Sequence, residues 1–305
     1  MDKYRVLQVL GDGSYGTVKK AQLKGSRDLV AIKKLKKRVD SWEDCSELPE
    51  IVVLRKLHHP NVIKLKEVIR EGDELYLVFD YMDCTLIEFL GQNPSSSPLV
   101  IPFIRQAFEG LAYLHRSGYM HRDIKPENIL VLNDQCKLSD FGLAKRLGNP
   151  KNTDYVSTRW YRAPEMLLHS PSYTCSVDNF AMGCIIAEIY LGRPLFPGNN
   201  EDDQLDKITE ILGSPQWPDG DTLARRCGFK FKNFPGVILG ELIRAPRQAI
   251  RLIELLLRWD PNERYTAAQA LTHPFLSEAG VKKKLPIYPE QSSERVFKPS
   301  CKRFL

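Results

Sequence analysis

The segment from His121 to Gly142, H-R-D-I-K-P-E-N-I-L-V-L-N-D-Q-C-K-L-S-D-F-G, constrains this chain more than any other. Ile129–Leu132, a turn at Asn133-Asp134 and Cys136–Leu138 read as a β-hairpin. A hairpin returns its two ends to one neighbourhood, so Asp123 and Asp140 are expected to face a single site. Lys125 and Asn128 lie on the approach to it. A carboxylate able to position a hydroxyl, an amide and a second carboxylate able to hold magnesium, and a lysine able to hold phosphate form a set suited to phosphoryl transfer.

The 305 residues suit one large or two intimately joined domains. A net charge of +6 is modest for that length and reads as a solvated, slightly basic surface, so no nucleic-acid partner is expected. The seven cysteines are scattered singly, without a C-x-x-C pair, which points to reduced thiols in a cytoplasmic or nuclear setting and to no zinc site. No signal peptide is read at the N-terminus, where Asp2-Lys3 precedes a strand-like run. The apolar stretch from Phe180 to Ile189 is broken by Glu188 and too short to span a bilayer, so it reads as a fully buried helix.

Residues 1 to about 80 look β-rich. Strands are expected at Tyr4–Leu10, Thr17–Gln22 and Leu29–Lys33, with Gly11–Gly16 as a glycine-rich turn. Gly11, Gly13 and Gly16 fit G-x-G-x-x-G, a weak pattern alone. A dinucleotide-binding fold would follow it with a helix, but here a strand-like Thr17-Val18-Lys19-Lys20 follows. That favours a hairpin whose glycines let backbone amides approach phosphates, over an ordinary glycine hairpin. Val30-Ala31-Ile32-Lys33 then ends a strand on a lysine placed to reach α- and β-phosphates. Ser41-Trp42-Glu43-Asp44 looks like a helix-opening cap, and Leu48, Ile51 and Leu54 continue at helical spacing. Glu47 and Glu50, three apart, would share a face, and either could pair with Lys33. Pro49 predicts a kink or a later helix start. Asn61–Leu65 and Leu75–Tyr81 read as further strands about a Glu71-Gly72-Asp73 turn. The composition turns helical after Thr85, Asn93–Pro98 reads as a loop, Ile101–Arg116 as a long amphipathic helix, and from there to Leu276 the pattern is largely helical, with His273-Pro274 ending the last clear helix.

Taken in order, Gly11–Val18, Val30–Lys33, H-R-D-I-K-P-E-N and D-F-G resemble the signature of eukaryotic protein kinases over residues 4 to about 276. Trp160-Tyr161-Arg162-Ala163-Pro164-Glu165 extends the resemblance to the CMGC branch. Thr153-Asp154-Tyr155, with the run from Asn61 to Glu71, is similar to the RCK group, which includes male-germ-cell-associated and intestinal-cell kinases. The resemblance implies an α+β, bilobal protein kinase fold: a small β-rich N-lobe (1–82), a larger helical C-lobe (83–280) and a C-terminal tail (281–305). It implies an ATP-dependent protein serine/threonine kinase using Mg2+.

The roles transfer position by position. Asp123 would orient the substrate hydroxyl and take its proton, Lys125 would neutralise the γ-phosphate, and Asn128 and Asp140 would bind magnesium. Lys33 would hold the α/β-phosphates, paired with Glu50 rather than Glu47, because Glu50, Leu54, Leu57 and Pro60-Asn61 match the family's spacing. Val18, Ala31 and Leu130 would sandwich adenine, with Phe79 as gatekeeper and Asp80 and Met82 as hinge contacts. Thr158 would bond Asp123 and Lys125, Asp178 would support the catalytic-loop backbone, and Glu165 and Arg264 would form a buried ion pair. Thr153 and Tyr155 would form a phosphorylation switch, with Arg122 and Lys145 receiving one phosphate and Arg159 and Arg162 the other.

Expected partners are an upstream activating kinase and protein substrates with Ser/Thr-Pro sites, acted on by a monomer located in the cytoplasm, with the nucleus or a cilium or flagellum as alternatives. Two departures from relatives stand out: Pro49 where an arginine usually precedes the helix glutamate, and Asn179-Phe180 after Asp178 in place of an aliphatic residue and tryptophan. A pseudokinase of the same fold would normally lack Lys33, Asp123, Asn128 or Asp140, and all four are present.

Overall fold

The computed structural model of the chain describes residues 1–13, 16–36, 41–148 and 158–277. Strands β1 (Tyr4–Gly13), β2 (Gly16–Leu23) and β3 (Leu29–Leu35) precede two short helices, α1 (Trp42–Glu47) and α2 (Pro49–Leu54). Strands β4 (Leu65–Glu71) and β5 (Glu74–Asp80) complete an antiparallel five-stranded sheet in the order β1-β2-β3-β5-β4. Alternation sorts its side chains between two faces. Val30, Ile32 and Val78 join Ala21 in a small outer cluster. Leu75, Leu77 and Phe79 join the main core, and Ala31 packs against it.

The second lobe is mostly helical. It runs through β6 (Cys84–Thr85), α3 (Leu86–Gln92), α4 (Val100–Arg116) and β7 (Tyr119–Met120), then the hairpin β8 (Ile129–Leu132) and β9 (Gln135–Leu138) and the short β10 (Lys145–Arg146). Helices α5 (Pro164–Leu167), α6 (Ser176–Leu191), α7 (Glu201–Leu212), α8 (Pro218–Cys227), α9 (Leu239–Leu242), α10 (Arg247–Leu256), α11 (Ala267–Thr272) and α12 (Pro274–Ser277) follow. Every residue of α6 from Ser176 to Ile189 is buried, as a helix apolar on all sides requires. Among the described residues no helix is long and apolar enough to cross a membrane.

Four expectations need correction. The strand expected over Asn61–Leu65 begins only at Leu65. Asn61–Ile63 are stitched instead to the hairpin: Ile63 N–H donates to Leu138 O at 2.8 Å, and Leu138 N–H donates to Asn61 O at 2.9 Å. Burial of Val62 and Ile63 under that hairpin is worth more than extending the sheet. The glycine-rich turn is shorter than expected, because β1 runs on through Gly11 to Gly13, which pairs with Gly16. Glu47 and Glu50 do not share a face. Leu48, with ψ 129°, breaks the helix, and Pro49 is the first residue of α2, where its missing N–H costs nothing. Glu47 is left exposed and Glu50 is buried. Finally, Pro274 ends α11 but also opens α12.

Candidate active site

Three elements bring Lys33, Glu50 and Asp140 together. Lys33 is near the end of β3, Glu50 is in the first turn of α2, and Asp140 follows the hairpin in a left-handed conformation (φ 59°). Lys33 Nζ lies 3.0 and 3.1 Å from the two Glu50 oxygens and 3.1 Å from Asp140 Oδ1. Helix α2 packs on the turn at Phe141–Leu143, so the Pro49 break turns Glu50 toward the site rather than away from it. Burial works to lower the Lys33 pKa, but the two carboxylates outweigh it and leave the ammonium above its ordinary value. Burial pushes Glu50 up, and Lys33 only partly offsets this. For Asp140, burial acts upward too, but the contact with Lys33 prevails and holds the carboxyl below its ordinary range. One ammonium thus serves two carboxylates, and the excess negative charge suits a further cation at Asp140.

The loop from His121 to Asn128 forms a second, adjoining group. Lys125 Nζ is 2.8 Å from Asp123 Oδ2, and Asn128 Nδ2 donates to Asp123 O at 2.8 Å and to Asp123 Oδ2 at 3.0 Å. Asn128 therefore spends its N–H groups on Asp123, and its amide oxygen is the atom left to ligate a metal. His121 Nε2 donates to Ser139 O at 2.9 Å while its Nδ1 accepts from Asp123 N–H at 3.3 Å, which fixes one tautomer and ties the two flanks of the hairpin together. Thr158 lines a small cavity with Asp123, Arg162 and Met166. Ser14, Tyr15, Thr153 and Tyr155 lie outside the described residues.

Between the lobes is a cleft of about 300 Å³. Val18, Ala31, Phe79, Met82 and Leu130 line it, together with Lys33, Glu50, Asp80 and Asp140. Asp80 is held by Lys66 at 3.3 Å and Lys137 at 3.2 Å. The sequence reading missed Leu10 and Ile63, which also line the cleft. Leu10 falls in the run Arg5–Asp12, which is exposed throughout, and Ile63 in a segment misread as sheet, so neither carried a local signal. Gly11 and Gly13 sit on β1 above the cleft, and a Cβ on Gly11 would meet nothing within 4 Å. Gly16 is different. Its φ is +150°, and a Cβ there would come 2.0 Å from Lys34 O, so glycine is demanded by the approach of β2 to β3.

Asp178 of α6 anchors the loop from below, accepting from His121 N–H and Arg122 N–H at 2.8 Å each. Arg122 is held with φ 70°, a conformation costing about 1–3 kcal/mol that these bonds must sustain. Asp178 is in turn 2.9 Å from His115 Nε2, a partner the sequence reading did not name. Burial lowers the His115 pKa, but Asp178, with Cys175, more than reverses this and raises it from 6.5 to about 9. The matching Asp178 carboxyl, which burial acts to raise, is held low by His115. A folded-state pKa above the unfolded one stabilises the fold fully below pH 6.5, and that contribution disappears as pH rises through about 9. Denaturant titrations from pH ~6 to ~9.5 are expected to show stability falling in that window, with a shallower fall in His115→Asn.

Comparison with known proteins gives this arrangement a family. The model of the protein kinase domain matches residues 4–276. The chain is 46% identical to cyclin-dependent kinase F-3 of Oryza sativa subsp. japonica, over 91% of this chain and 66% of the relative. It is 46% identical to serine/threonine-protein kinase MAK of Homo sapiens, over 90% of this chain and 45% of the relative. Identity to serine/threonine-protein kinase ICK of Mus musculus is 44%, over 90% of this chain and 45% of the relative. The chain thus spans from under half to about two thirds of the length of these relatives. With a five-stranded sheet over a helical lobe, Lys33, Glu50 and Asp140 lining the cleft between them, and Asp123 and Asn128 in the adjoining loop, the chain belongs to the protein kinase domain family and has its bilobal α+β fold.

Proposed function

We propose that the chain transfers the γ-phosphate of ATP to serine or threonine hydroxyls of proteins, in the manner the names of MAK and ICK indicate for those relatives. The observation that carries this reading is the Lys33 ammonium held between Glu50 and Asp140 at one end of an apolar-walled cleft. Adenine would lie between Val18, Ala31 and Leu130, with Phe79 limiting the depth of its pocket and the backbone at Asp80 and Met82 meeting its edge. Lys33 would hold the α/β-phosphates, and Gly11, Gly13 and Gly16 would shape the strand pair above them. Asn128 and Asp140 would hold Mg2+, which when bound neutralises phosphate charge. Asp123 would orient the hydroxyl and accept its proton, while Lys125 offsets charge at the phosphoryl group.

Preference for proline after the phosphorylated residue, and activation through Thr153 and Tyr155 by an upstream kinase, belong to the same proposal. Arg122 and Lys145 support it by their proximity: burial first, and Arg122 second, lower the Lys145 pKa. Such a pair of cations is suited to a phosphate. Arg159 and Arg162 both face Glu201, at 3.9 and 3.4 Å. A phosphate on Tyr155 would compete with that carboxylate.

The test is transfer from labelled ATP to a Ser/Thr-Pro peptide in the presence of magnesium. Wild type is expected to phosphorylate the peptide, and Asp140→Asn to retain less than about 1% of that rate. Equal, background-level rates in both would make the chain a pseudokinase.

A further inference from the structure

Arg122, proposed above to receive a phosphate, is already engaged by a tyrosine. Its Nη1 donates to the Tyr173 hydroxyl at 3.0 Å, and its guanidinium carbon lies 5.9 Å from the centroid of the Tyr173 ring. Its Nε donates to Leu143 O at 2.9 Å, and its backbone N–H donates to Asp178 Oδ1 at 2.8 Å. Arg122 is thus gripped from the turn at Phe141–Leu143, from the loop before α6 and from α6 itself.

These grips bear on Asp123. Arg122 stands at φ 70°, in a left-handed region that a non-glycine residue keeps only when its surroundings hold it there. Asp123 is the next residue, so the direction of its carboxylate follows the dihedrals of Arg122. Asp178 fixes the backbone of Arg122, and Leu143 and Tyr173 fix its side chain. Tyr173 is itself steadied: its ring packs against the main core, and the next residue, Thr174, places its hydroxyl 3.0 Å from Ser176 Oγ. The contact with Arg122 joins two unmodified side chains, so it requires no phosphate. Pro49, standing where an arginine usually precedes the helix glutamate, has no donor to offer a phosphate in its place.

We propose that Tyr173 is a positioning residue: by holding the Arg122 guanidinium it sets the backbone ahead of Asp123 without a phosphate on Thr153, and so supports a phosphorylation-independent rate of transfer. The rate rests on the kinase reading, and the setting of the backbone does not. A phosphate on Thr153 would add charge-assisted bonds to a guanidinium that Tyr173 has already oriented, raising the rate rather than creating it.

Tyr173→Phe tests this, because it keeps the ring beside Arg122 and removes the hydroxyl. It is made in a chain carrying Thr153→Ala and compared with Thr174→Val, which deletes the neighbouring hydroxyl that faces Ser176. Amide hydrogen exchange is followed over residues 121–123, and transfer to a Ser/Thr-Pro peptide by steady-state kinetics. Tyr173→Phe is expected to speed exchange at residues 121–123 and to lower kcat roughly 5- to 10-fold, the weight of one hydrogen bond, with the KM for ATP within about twofold. Thr174→Val is expected to keep the exchange and kcat of its parent. Unchanged exchange and kcat in Tyr173→Phe would overturn the proposal. Equal losses in both variants would overturn it too, since they would mark a general loosening of the loop before α6. A Thr153→Ala chain inactive beside an active wild type would refute the phosphorylation-independent rate. Should wild type itself transfer no phosphate, the kinase reading falls, and exchange at residues 121–123 still decides whether Tyr173 sets the backbone there.

Discussion

Asp123→Asn is expected to lower kcat for peptide phosphorylation by about 10²–10⁴-fold while leaving the KM for ATP within about twofold. The split follows from where the side chain points. Asp123 does not line the interlobe cleft, whereas Lys33, Glu50 and Asp140 do. Its carboxylate faces Lys125 and Asn128, and borders the cavity shared with Thr158 and Arg162. An amide there is nearly isosteric, so Asn128 and Lys125 keep a neighbour and the nucleotide pocket keeps its shape. What disappears is the group that, on the function proposed above, would accept a proton from the substrate hydroxyl. Steady-state kinetics with varied ATP and varied peptide separate the two effects. A large rise in the KM for ATP at unchanged kcat would show that Asp123 serves nucleotide binding instead.

Arg264→Met is expected to destabilise the fold by about 3–5 kcal/mol, the cost of stranding a buried charge. Arg264 and Glu165 are 0% and 2% exposed and form two parallel contacts of 2.5 and 2.7 Å. Arg264 also donates to Arg258 O at 2.7 Å and to Trp259 O at 3.0 Å, and its guanidinium lies 5.0 Å from the Phe180 ring centroid. The arginine therefore joins α5, the start of α6 and the loop after α10. Removing it leaves Glu165 without its partner and two carbonyls without donors. In urea titrations the midpoint should fall at unchanged slope. Adding Glu165→Leu to Arg264→Met should recover part of the loss, because the stranded carboxylate is then gone. A loss below about 1 kcal/mol would mean that the pair behaves as a surface bridge does.

Much of the site was legible in the sequence because its signals are local. Ile129–Leu132 and Gln135–Leu138 form the expected hairpin, and its turn contains Asn133 at φ 55°, a conformation asparagine tolerates. The three- and four-residue spacing of the buried positions of α4 and the apolar run of α6 are likewise statements about neighbouring residues. The failures involve partners distant in sequence. Whether Val62 and Ile63 extend the sheet or attach to β9 depends on Leu138, more than 70 residues away. The role of Gly16 depends on Lys34 across the sheet, and the link from His115 to Asp178 spans 63 residues. No periodicity encodes such meetings.

Pro49 illustrates where the two levels divide. By itself the sequence determined that no straight helix could run through residue 49, because proline lacks the N–H and its ring clashes with the preceding turn. It also carried the order of motifs, and with it the family and the chemistry of the residues at the cleft. Only the tertiary structure decided on which side of the break each glutamate falls. Helix α2 begins at Pro49, so the axis changes there, and packing on Phe141–Leu143 delivers Glu50 to Lys33 and leaves Glu47 in solvent. A proline dictates a break locally, but the direction of the chain after it is set by the apolar surface available to bury Ile51 and Leu54.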